Sequence, residues 1–225
     1  MTTELSISGP LPSTLYAAAL ARLSTFTSSG ESFGLSESVY GRAGATEGPA
    51  DTLGSAAAQV VRVKALRLRR PGGDADSVVE WSIQVNQRPE APRTAPRAMQ
   101  HGVIEFAVEE GSDPRSLVDA LGFSTHLFST HKRGVRFQRG AVLVEIFQLY
   151  ESPESSAPLD PSSYVVTAST RFSSTPTRSS GGSGSTQQQQ NGPTASSQEV
   201  RENALASIEQ VTMLLKGLCD LSRVD

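Results

Sequence analysis

Hydrophobic and polar residues alternate along most of this chain, which is typical of β-strands with two different faces. In the segment 79–85, for example, apolar and polar residues take every second position. The same pattern predicts strands in the segments 4–9, 33–41, 60–70, 102–108, 123–130, 135–139, 142–150 and 164–172. Gly134 and Gly140 are interpreted as turns between neighbouring segments. These nine segments predict a fold of about eight strands.

Two stretches within this strand-rich part instead repeat apolar residues at helical spacing. The first helix is predicted from about Ser13, with an apolar stripe formed by Leu15, Ala19, Leu23 and Phe26. The second is predicted between Asp113 as the N-cap and Gly122 as the C-terminal stop, with Pro114 at its first position. Its residues expected to face inwards are Leu117, Val118 and Leu121.

A third helix is predicted near the C-terminus. Ser196 and Glu199 form a capping-box pattern, and an apolar stripe follows at spacings of three and four. The stripe consists of Ala204, Ile208, Val211, Leu215 and Leu218. Because strands and helices do not alternate one by one along the chain, the order favours an α+β fold over a parallel α/β fold.

Composition divides the chain into three parts. We interpret residues 1–172 as the folded body, interrupted by Pro- and Gly-rich loops at 41–57, 88–97 and 152–162. The segment 173–198 is rich in Ser, Gly and Gln with almost no apolar side chain, so we expect a disordered linker. Residues 199–225 form the C-terminal amphipathic helix, which we expect to pack on the body.

Net charge, cysteine content and the length of apolar runs indicate the kind of compartment and partner that suit this protein. The 225 residues carry a formal net charge of -3 at pH 7, so no overall basic field attracts nucleic acid or anionic lipid. The single cysteine excludes an internal disulfide and suits a reducing compartment. The longest apolar run, Leu15 to Ala21, is too short for a bilayer, and Met1 to Glu4 shows no signal-peptide pattern. We therefore expect a soluble intracellular protein.

Motifs for catalysis or cofactor binding are not found in the sequence. The Gly-dense stretch Gly181 to Ser185 fits neither a dinucleotide fingerprint nor a P-loop nor a nucleophile elbow. The three histidines, His101, His126 and His131, lack the spacing of metal ligands. His126 and His131 are five residues apart and are predicted to lie on opposite faces of a strand. We predict no catalytic, cofactor-binding or metal-binding residue.

Two groups of residues are candidates for partner binding. The densest basic cluster is Lys132, Arg133, Arg136 and Arg139. Within it, Arg133 and Arg136 could meet an acidic partner, or the cluster could be a solvated hairpin whose Arg stems cover apolar surface.

The second candidate group is the stripe Ile208, Val211 and Leu215 of the C-terminal helix. These side chains could seat a partner helix, or they could pack on the chain's own sheet, and both arrangements produce the same pattern.

Several short motifs follow one another in a characteristic order. They are Leu66-Arg67-Leu68-Arg69-Arg70, Trp81-Ser82-Ile83-Gln84-Val85, Leu121-Gly122-Phe123, Val135-Arg136-Phe137-Gln138-Arg139-Gly140 and Glu145-Ile146-Phe147. With the amphipathic C-terminal helix after a variable loop, this order resembles subunit 18 of the Mediator complex of RNA polymerase II transcription. The resemblance spans nearly the whole folded part, and the segments 41–57 and 173–198 are long inserts relative to it.

The resemblance implies a closed, tunnel-like antiparallel β-barrel of about eight strands, flanked by about three helices. It also implies a nuclear, non-enzymatic scaffold of the Mediator head module that links regulators to the RNA polymerase II machinery. The implied partners are subunit 20, as a heterodimer, the tail of subunit 8 and other head-module subunits. Neither a cofactor, nor a membrane, nor sequence-specific nucleic-acid binding is expected.

An enzymatic alternative stays open, because the implied barrel resembles that of metal-dependent triphosphatases. Such a site needs several carboxylates at alternate strand positions to hold a divalent ion. The acidic pair with that spacing, Asp74 and Asp76, lies in a Gly-rich turn, whereas Glu80, Glu105 and Glu145 are isolated on separate strands. Three single carboxylates could still converge in a closed barrel.

A third possibility is a weak single-strand nucleic-acid binder that uses the basic segment 132–139. The negative net charge and the single aromatic residue in that segment, Phe137, argue against it.

Overall fold

A computed structural model describes residues 2–27, 30–42, 60–69, 79–109, 111–173 and 197–224. Its strands are β1 (Thr2–Pro12), β2 (Gly30–Gly41), β3 (Val61–Arg69), β4 (Val79–Asn86), β5 (Met99–Ala107), β6 (Thr125–Arg139), β7 (Val142–Tyr150) and β8 (Ser163–Phe172). Its helices are α1 (Tyr16–Phe26), preceded by a 3-10 turn at Ser13–Leu15, α2 (Pro114–Ala120) and α3 (Ser197–Leu215). The eight strands close into an antiparallel barrel in the order β1-β5-β4-β3-β2-β6-β7-β8. The predicted α+β barrel is confirmed.

The main hydrophobic core lies outside the barrel, between its wall and two helices. Strands β1, β7 and β8 turn one apolar face towards α1 and α3, and these faces form a single buried cluster with the helices. The largest buried strand residues in it are Leu5, Leu11, Val144, Ile146 and Val166. Because side chains alternate across a strand, the polar residues between them point away from this core.

Helix α3 is fixed to the barrel along its whole apolar stripe. Ile208, Val211 and Leu215 are almost completely buried in the main core. At the C-terminal end of α3, the carbonyl oxygens of Leu214 and Lys216 accept hydrogen bonds from Arg22 of α1, of 3.1 and 2.9 Å. These bonds satisfy carbonyl groups that the end of a helix leaves without an intrahelical partner.

The chain after α3 returns to the barrel wall at β1. Ser8 and Ser222 exchange two backbone hydrogen bonds, of 2.9 and 3.1 Å. Gly9 makes this approach possible, because a Cβ atom there would lie 2.2 Å from the carbonyl oxygen of Asp220. The C-terminal segment is thereby held on the outer surface of the barrel.

Helix α2 covers a second, smaller core on β3 and β4. Val118 is completely buried there with Phe123, Val61, Val63 and Ile83, which pack in the same cluster as Tyr40. The predicted cap is confirmed, since the Asp113 carboxylate accepts hydrogen bonds from the backbone N–H groups of Arg115 and Ser116. The predicted inward orientation of Leu117 and Leu121 is wrong, because this seven-residue helix buries only Val118 and Pro114.

Strand β6 differs from the prediction of two strands joined by a turn at Gly134. It is continuous over 15 residues, and Gly134 pairs with Phe33 on one side and Phe147 on the other. A Cβ atom at Gly134 would lie 2.0 Å from the carbonyl oxygen of Ile146. The glycine therefore allows close strand approach, and the turn lies at Gly140, whose φ is 58°.

Two of the predicted loops are held by arginine side chains. Arg223 donates to the carbonyl oxygens of Ala95 (2.6 Å) and Glu90 (2.7 Å) in the loop 88–97. Arg133 donates to the carbonyl oxygen of Ser155 (2.8 Å) in the loop 152–162. Hydrogen bonds from a charged donor of this kind are among the stronger ones in proteins.

Most of the other predicted loop and linker residues lie outside the described part of the chain. This applies to 43–57, to 174–196 and to the proposed cap Ser196. The disordered linker and the domain boundaries built on it stay predictions. Among the described helices, none is long and apolar enough to cross a membrane.

Candidate functional site

The interior of the barrel holds charged side chains beside buried apolar ones such as Phe33, Val103 and Phe147, and its charges make it the first candidate for a functional site. An eight-stranded barrel has an interior just wide enough for side chains, so helices pack on its outside. The strand faces that pack on the helices point outwards, and the opposite faces therefore line the interior, which we call the lumen. Cross-strand pairs on these faces include Glu4 with His101, and Glu37 with Lys64.

Charges from strands that are not neighbours interact across the lumen. Lys64 on β3 experiences the charges of Glu4 on β1 and Arg171 on β8, although neither strand is adjacent to β3. The lumen acids are Glu4, Glu31, Glu37, Glu105 and Glu145, and the lumen bases are Arg62, Lys64, Lys132, Arg136 and Arg171. Acidic and basic side chains are thus interleaved around the barrel.

The Glu37 carboxylate is the most deeply buried acid in the lumen. It forms an ion pair with Arg62 of the neighbouring strand β3. Burial alone would raise the pKa of Glu37, but the hydrogen bond from Arg62 and the charges of Lys64 and Lys132 outweigh it. The pKa of Glu37 therefore lies below its ordinary value, and the carboxylate stays ionised.

Arg171 connects three strands at one end of the lumen. Its Nε donates to Glu4 at 2.6 Å, and its Nη1 pairs with Glu105. The Ser82 hydroxyl donates a further hydrogen bond of 2.9 Å to Glu105. Burial would raise the pKa of Glu105, but the Arg171 hydrogen bond and the charge of Lys64 hold it below its ordinary value.

Glu145 and Lys64 are less well compensated than these ion pairs. Burial raises the pKa of Glu145 despite the opposing charges of Lys132, Lys64 and Arg136. Burial likewise lowers the pKa of Lys64 despite Glu37, Glu105 and Glu4. The Lys64 Nζ donates to the side-chain oxygen of Gln84. Both shifts favour the neutral form of a group that is charged in water.

His101 is the least satisfied polar side chain in the lumen. It is only 4% exposed, and neither ring nitrogen has a hydrogen-bond partner among the described residues. The nearest acid is Glu4, whose Oε1 lies 3.9 Å from Nε2. Burial lowers the pKa of His101, Glu4 opposes the shift, and Arg171, Arg62 and Lys64 add to it.

The described lumen does not group carboxylates as a metal site would. Within the described ranges, no set of three or more His, Cys, Asp or Glu residues is placed to hold a metal ion. Three acids were predicted to be isolated on separate strands. Of these, Glu105 forms an ion pair with Arg171, which also pairs with Glu4. Glu145 makes no hydrogen bond or ion pair within the described chain. Glu80 lies at the exposed end of β4.

Most of the charged residues that line the lumen were not predicted from the sequence. Glu4, Glu37, Arg62, Lys64 and Arg171 were not singled out by any motif. The available signal was that nearly every predicted strand carries a charged residue on its polar face. That signal identifies lumen residues only once the polar faces are known to point inwards.

The predicted basic cluster lies on β6, one strand of the β6–β7 hairpin, but it is not a single surface patch. Alternation along β6 sends Lys132 and Arg136 into the lumen, where Arg136 pairs with Glu31 at 3.3 Å. Arg133 and Arg139 point outwards, over the rings of Tyr150 and Phe26. The interpretation as a solvated hairpin is therefore wrong for Lys132 and Arg136, which face the lumen, whereas Arg133 and Arg139 cover apolar rings as predicted.

His126 and His131 are also placed differently from the prediction of opposite faces. His126 contacts the Ser129 hydroxyl (2.9 Å) and His131 contacts the Ser36 hydroxyl (3.0 Å), both on the outer face. The pairing of β2 with β6 shifts register next to Val39, and this bulge reverses the alternation.

The outer surface of β4 and β5 carries a group of exposed apolar side chains. We call it the β4–β5 outer patch, and it consists of Val79, Trp81, Ile104 and Phe106, each between 36% and 46% exposed. On β5, Phe106 and Ile104 share the outer face because they pair with Ile83 and Val85. On β4, Val79 and Trp81 lie on the same face as Ile83 and Val85 because side chains alternate along a strand. Contiguous exposed apolar groups of this kind mark interaction surfaces.

Comparison with known proteins connects this architecture to solved structures. No family model matches the sequence, and no curated protein matches it. A chain of the Schizosaccharomyces pombe Mediator head module is similar, with a TM-score of 0.62 and 17% identity over 99% of this chain and 98% of that chain. The protein PH1819 from Pyrococcus horikoshii is similar with a TM-score of 0.54 and 12% identity, over 99% and 94%. A Hippeastrum protein with a dominant triphosphatase activity has a TM-score of 0.41 and 12% identity, over 76% and 80%. At their identities, the first two similarities establish the fold alone.

Proposed function

We propose that this chain is a non-enzymatic scaffold subunit of a Mediator head module, acting in the nucleus through protein–protein contacts. The observation that carries the proposal is the end-to-end similarity to a chain of the S. pombe head module, which covers 99% of one chain and 98% of the other. The order of motifs around Trp81-Ser82-Ile83-Gln84-Val85, which resembles Mediator subunit 18, supports the same assignment.

The lumen supports a structural role for its charges. Arg62, Arg136 and Arg171 each contact a carboxylate on a neighbouring strand, so their charges are already compensated inside the barrel. A guanidinium that is occupied in this way is a poor anchor for a phosphate ligand, because the existing ion pair must first be broken. We infer that these pairs hold the strand order of the barrel and leave its outer surface for binding.

The β4–β5 outer patch is the surface that we propose for a partner subunit. Trp81 and Phe106 supply the aromatic residues that are enriched in protein interfaces. By the resemblance to subunit 18, the partner is subunit 20, and the tail of subunit 8 and further head-module subunits occupy other surfaces. Regulators and the RNA polymerase II machinery are then reached through the assembled module.

The residues that sequence analysis named as partner-binding contribute in different ways to this proposal. Ile208, Val211 and Leu215 contact the chain's own barrel, so any effect on a partner must come through the position of α3. Arg136 lies in the lumen, whereas Arg133 is held by the loop 152–162. We propose that Arg133 acts by shaping that loop.

Co-expression with subunit 20 from the same organism tests the proposal. We expect the wild-type chain to co-purify as a 1:1 complex, and the double variant Trp81→Glu and Phe106→Glu to remain folded but to lose the partner. Met213→Glu is the matched control, because Met213 is 75% exposed on α3, away from the patch. A folded patch variant that binds subunit 20 as well as the control does would disprove the assigned surface. Absence of the wild-type complex would disprove the heterodimer.

A tunnel-fold phosphohydrolase is the second candidate, and the charged lumen is the observation that favours it. The assay is phosphate release from ATP, tripolyphosphate or 5′-triphosphate RNA with Mg²⁺ or Mn²⁺. Activity that disappears when Glu80, Glu105 and Glu145 are all changed to Gln would replace the scaffold proposal. The third possibility, single-strand nucleic-acid binding by 132–139, is disfavoured because β6 sends its basic side chains to opposite faces of the barrel wall.

A further inference from the structure

The seam between β1 and β5 contains a buried histidine at its centre. Five residue pairs join the two strands, from Thr2 with Val103 to Ser6 with Met99. His101 pairs with Glu4 in the middle of this seam, and its ring is almost fully enclosed in the lumen. A buried polar side chain without a hydrogen-bond partner is unusual and requires a physical account.

The groups that face His101 come from three other strands. Glu4 on β1 is the acid, while Arg171 on β8 and Arg62 and Lys64 on β3 are the bases. A proton on the imidazole would therefore add a positive charge where three bases are already present, although Arg62 is paired with Glu37 and Arg171 with Glu4 and Glu105. The neutral ring avoids this repulsion.

Glu4 is the acceptor for which a protonated His101 would compete. One of its oxygens already accepts from Arg171 Nε at 2.6 Å, and the other lies 3.9 Å from His101 Nε2. An imidazolium has two N–H donors and needs acceptors for both. In the closed lumen the Glu4 carboxylate is held by Arg171, and neither nitrogen of His101 has a hydrogen-bond partner among the described residues.

We propose that His101 is a proton-operated switch of the β1–β5 seam. With a neutral ring, Glu4 pairs with Arg171 and the seam is closed. A protonated ring lacks acceptors in the closed lumen, so it is accommodated when the seam opens locally and water reaches the ring. The device is a property of the barrel itself and does not depend on the scaffold assignment.

Proton linkage gives the expected size of the effect. In the open seam His101 titrates with its ordinary pKa of about 6.5, whereas burial lowers the pKa of the ring in the closed seam. Lowering the pH therefore increases the equilibrium constant for opening of the seam. If the closed-state ring stays neutral, this constant is about 11 times larger at about pH 5.5 than at high pH and almost unchanged at about pH 7.5, so we expect a rise in opening of up to roughly tenfold.

Amide hydrogen exchange of the full chain at these two pH values, corrected for intrinsic rates, tests the proposal. We expect faster exchange at the lower pH in peptides that cover 2–6 and 99–103, with a much smaller change in 142–150. His101→Gln should remove the pH dependence, and His131→Gln, on the outer face, should retain it. Seam exchange that does not depend on pH, or that depends on it equally in His101→Gln, would overturn the proposal.

A measurement without a substitution covers the case in which His101→Gln does not fold. The imidazole C–H resonances of the wild-type chain report the midpoint at which His101 takes up its proton. We expect this midpoint to lie below the ordinary histidine pKa of about 6.5. A His101 midpoint at or above that ordinary value would show that the closed seam tolerates the proton, and the switch would be wrong.

Discussion

Replacing Gly134 by Ala should open or strain the barrel wall, although the change adds a single methyl group. The added Cβ would lie 2.0 Å from the carbonyl oxygen of Ile146 and 2.6 Å from the Cα of Phe147. Both are backbone atoms of β7, so no side-chain rotation can relieve the overlap. Overpacking of this kind costs about 1–3 kcal/mol, and we expect the upper end because the backbone pairing itself must shift.

Gly34→Ala provides a matched control in the strand next to Gly134. Gly34 pairs with Arg133 across β2 and β6, and a Cβ atom there would meet nothing within 4 Å. A strand glycine costs roughly 0.5–1 kcal/mol relative to Ala, so this variant should be equally stable or slightly more stable than the wild type.

Urea unfolding, followed by circular dichroism, measures both variants against the wild type. We expect Gly134→Ala to lower the free energy of unfolding by about 3 kcal/mol, with little change for Gly34→Ala. Equal stability of Gly134→Ala and the wild type would refute the close pairing of β6 with β7. It would instead support a turn at Gly134, as the sequence alone suggested.

Three further predictions concern the core, the lumen and the linker. Leu215→Ala should lower the free energy of unfolding in urea by about 2–5 kcal/mol, because Leu215 is completely buried. Leu215→Asp should give insoluble protein or loss of the partner, and a soluble Asp variant with normal binding would contradict this. Since the pKa of Glu37 is lowered in the fold from its ordinary value of 4.5, its contribution to stability is present above that pH and lost as the pH falls through the folded pKa. The wild type should therefore lose stability in acid more steeply than Glu37→Gln, and parallel pH curves of the unfolding midpoint would contradict the ion pair with Arg62. Replacing 173–198 by a Gly/Ser segment of equal length should change the free energy of unfolding by less than about 0.5 kcal/mol, and a melting temperature lower by several degrees would show that the segment packs.

Local features of the sequence were sufficient to predict most strands and helices. The segments 142–150 and 164–172 were predicted almost to the residue, because period-two alternation and flanking turn residues specify strands locally. The Asp113 cap and the Gly122 stop were likewise readable, since capping depends on residues within one helical turn.

The lumen could not be predicted in the same way, because it depends on strand order. Glu4 and Arg171 are 167 positions apart and meet only because β1 closes the barrel by pairing with β8. Alternation shows that a strand has two different faces, but it does not say which face points inwards. In this barrel the faces of β1, β7 and β8 that pack on the helices point outwards, so carboxylates that are isolated in the sequence converge with bases in the interior.

The predictions for Gly134 and for the pair His126 and His131 were wrong for a related reason. A glycine marks a turn in most contexts, and only the position of β7 shows that Gly134 is needed for close approach. The separation of His126 from His131 predicted opposite faces, but a bulge next to Val39 changed the alternation. Both features depend on the partner strand and not on the local sequence.

Affinity purification of the tagged full chain from nuclei, with mass spectrometry of the bound proteins, tests the central claim most directly. If the chain is a Mediator head-module scaffold, it should arrive with subunit 20, subunit 8 and the other head-module subunits in near-equal amounts, and the Trp81→Glu and Phe106→Glu variant should lose subunit 20. Purification of the wild-type chain without any Mediator subunit would contradict the account.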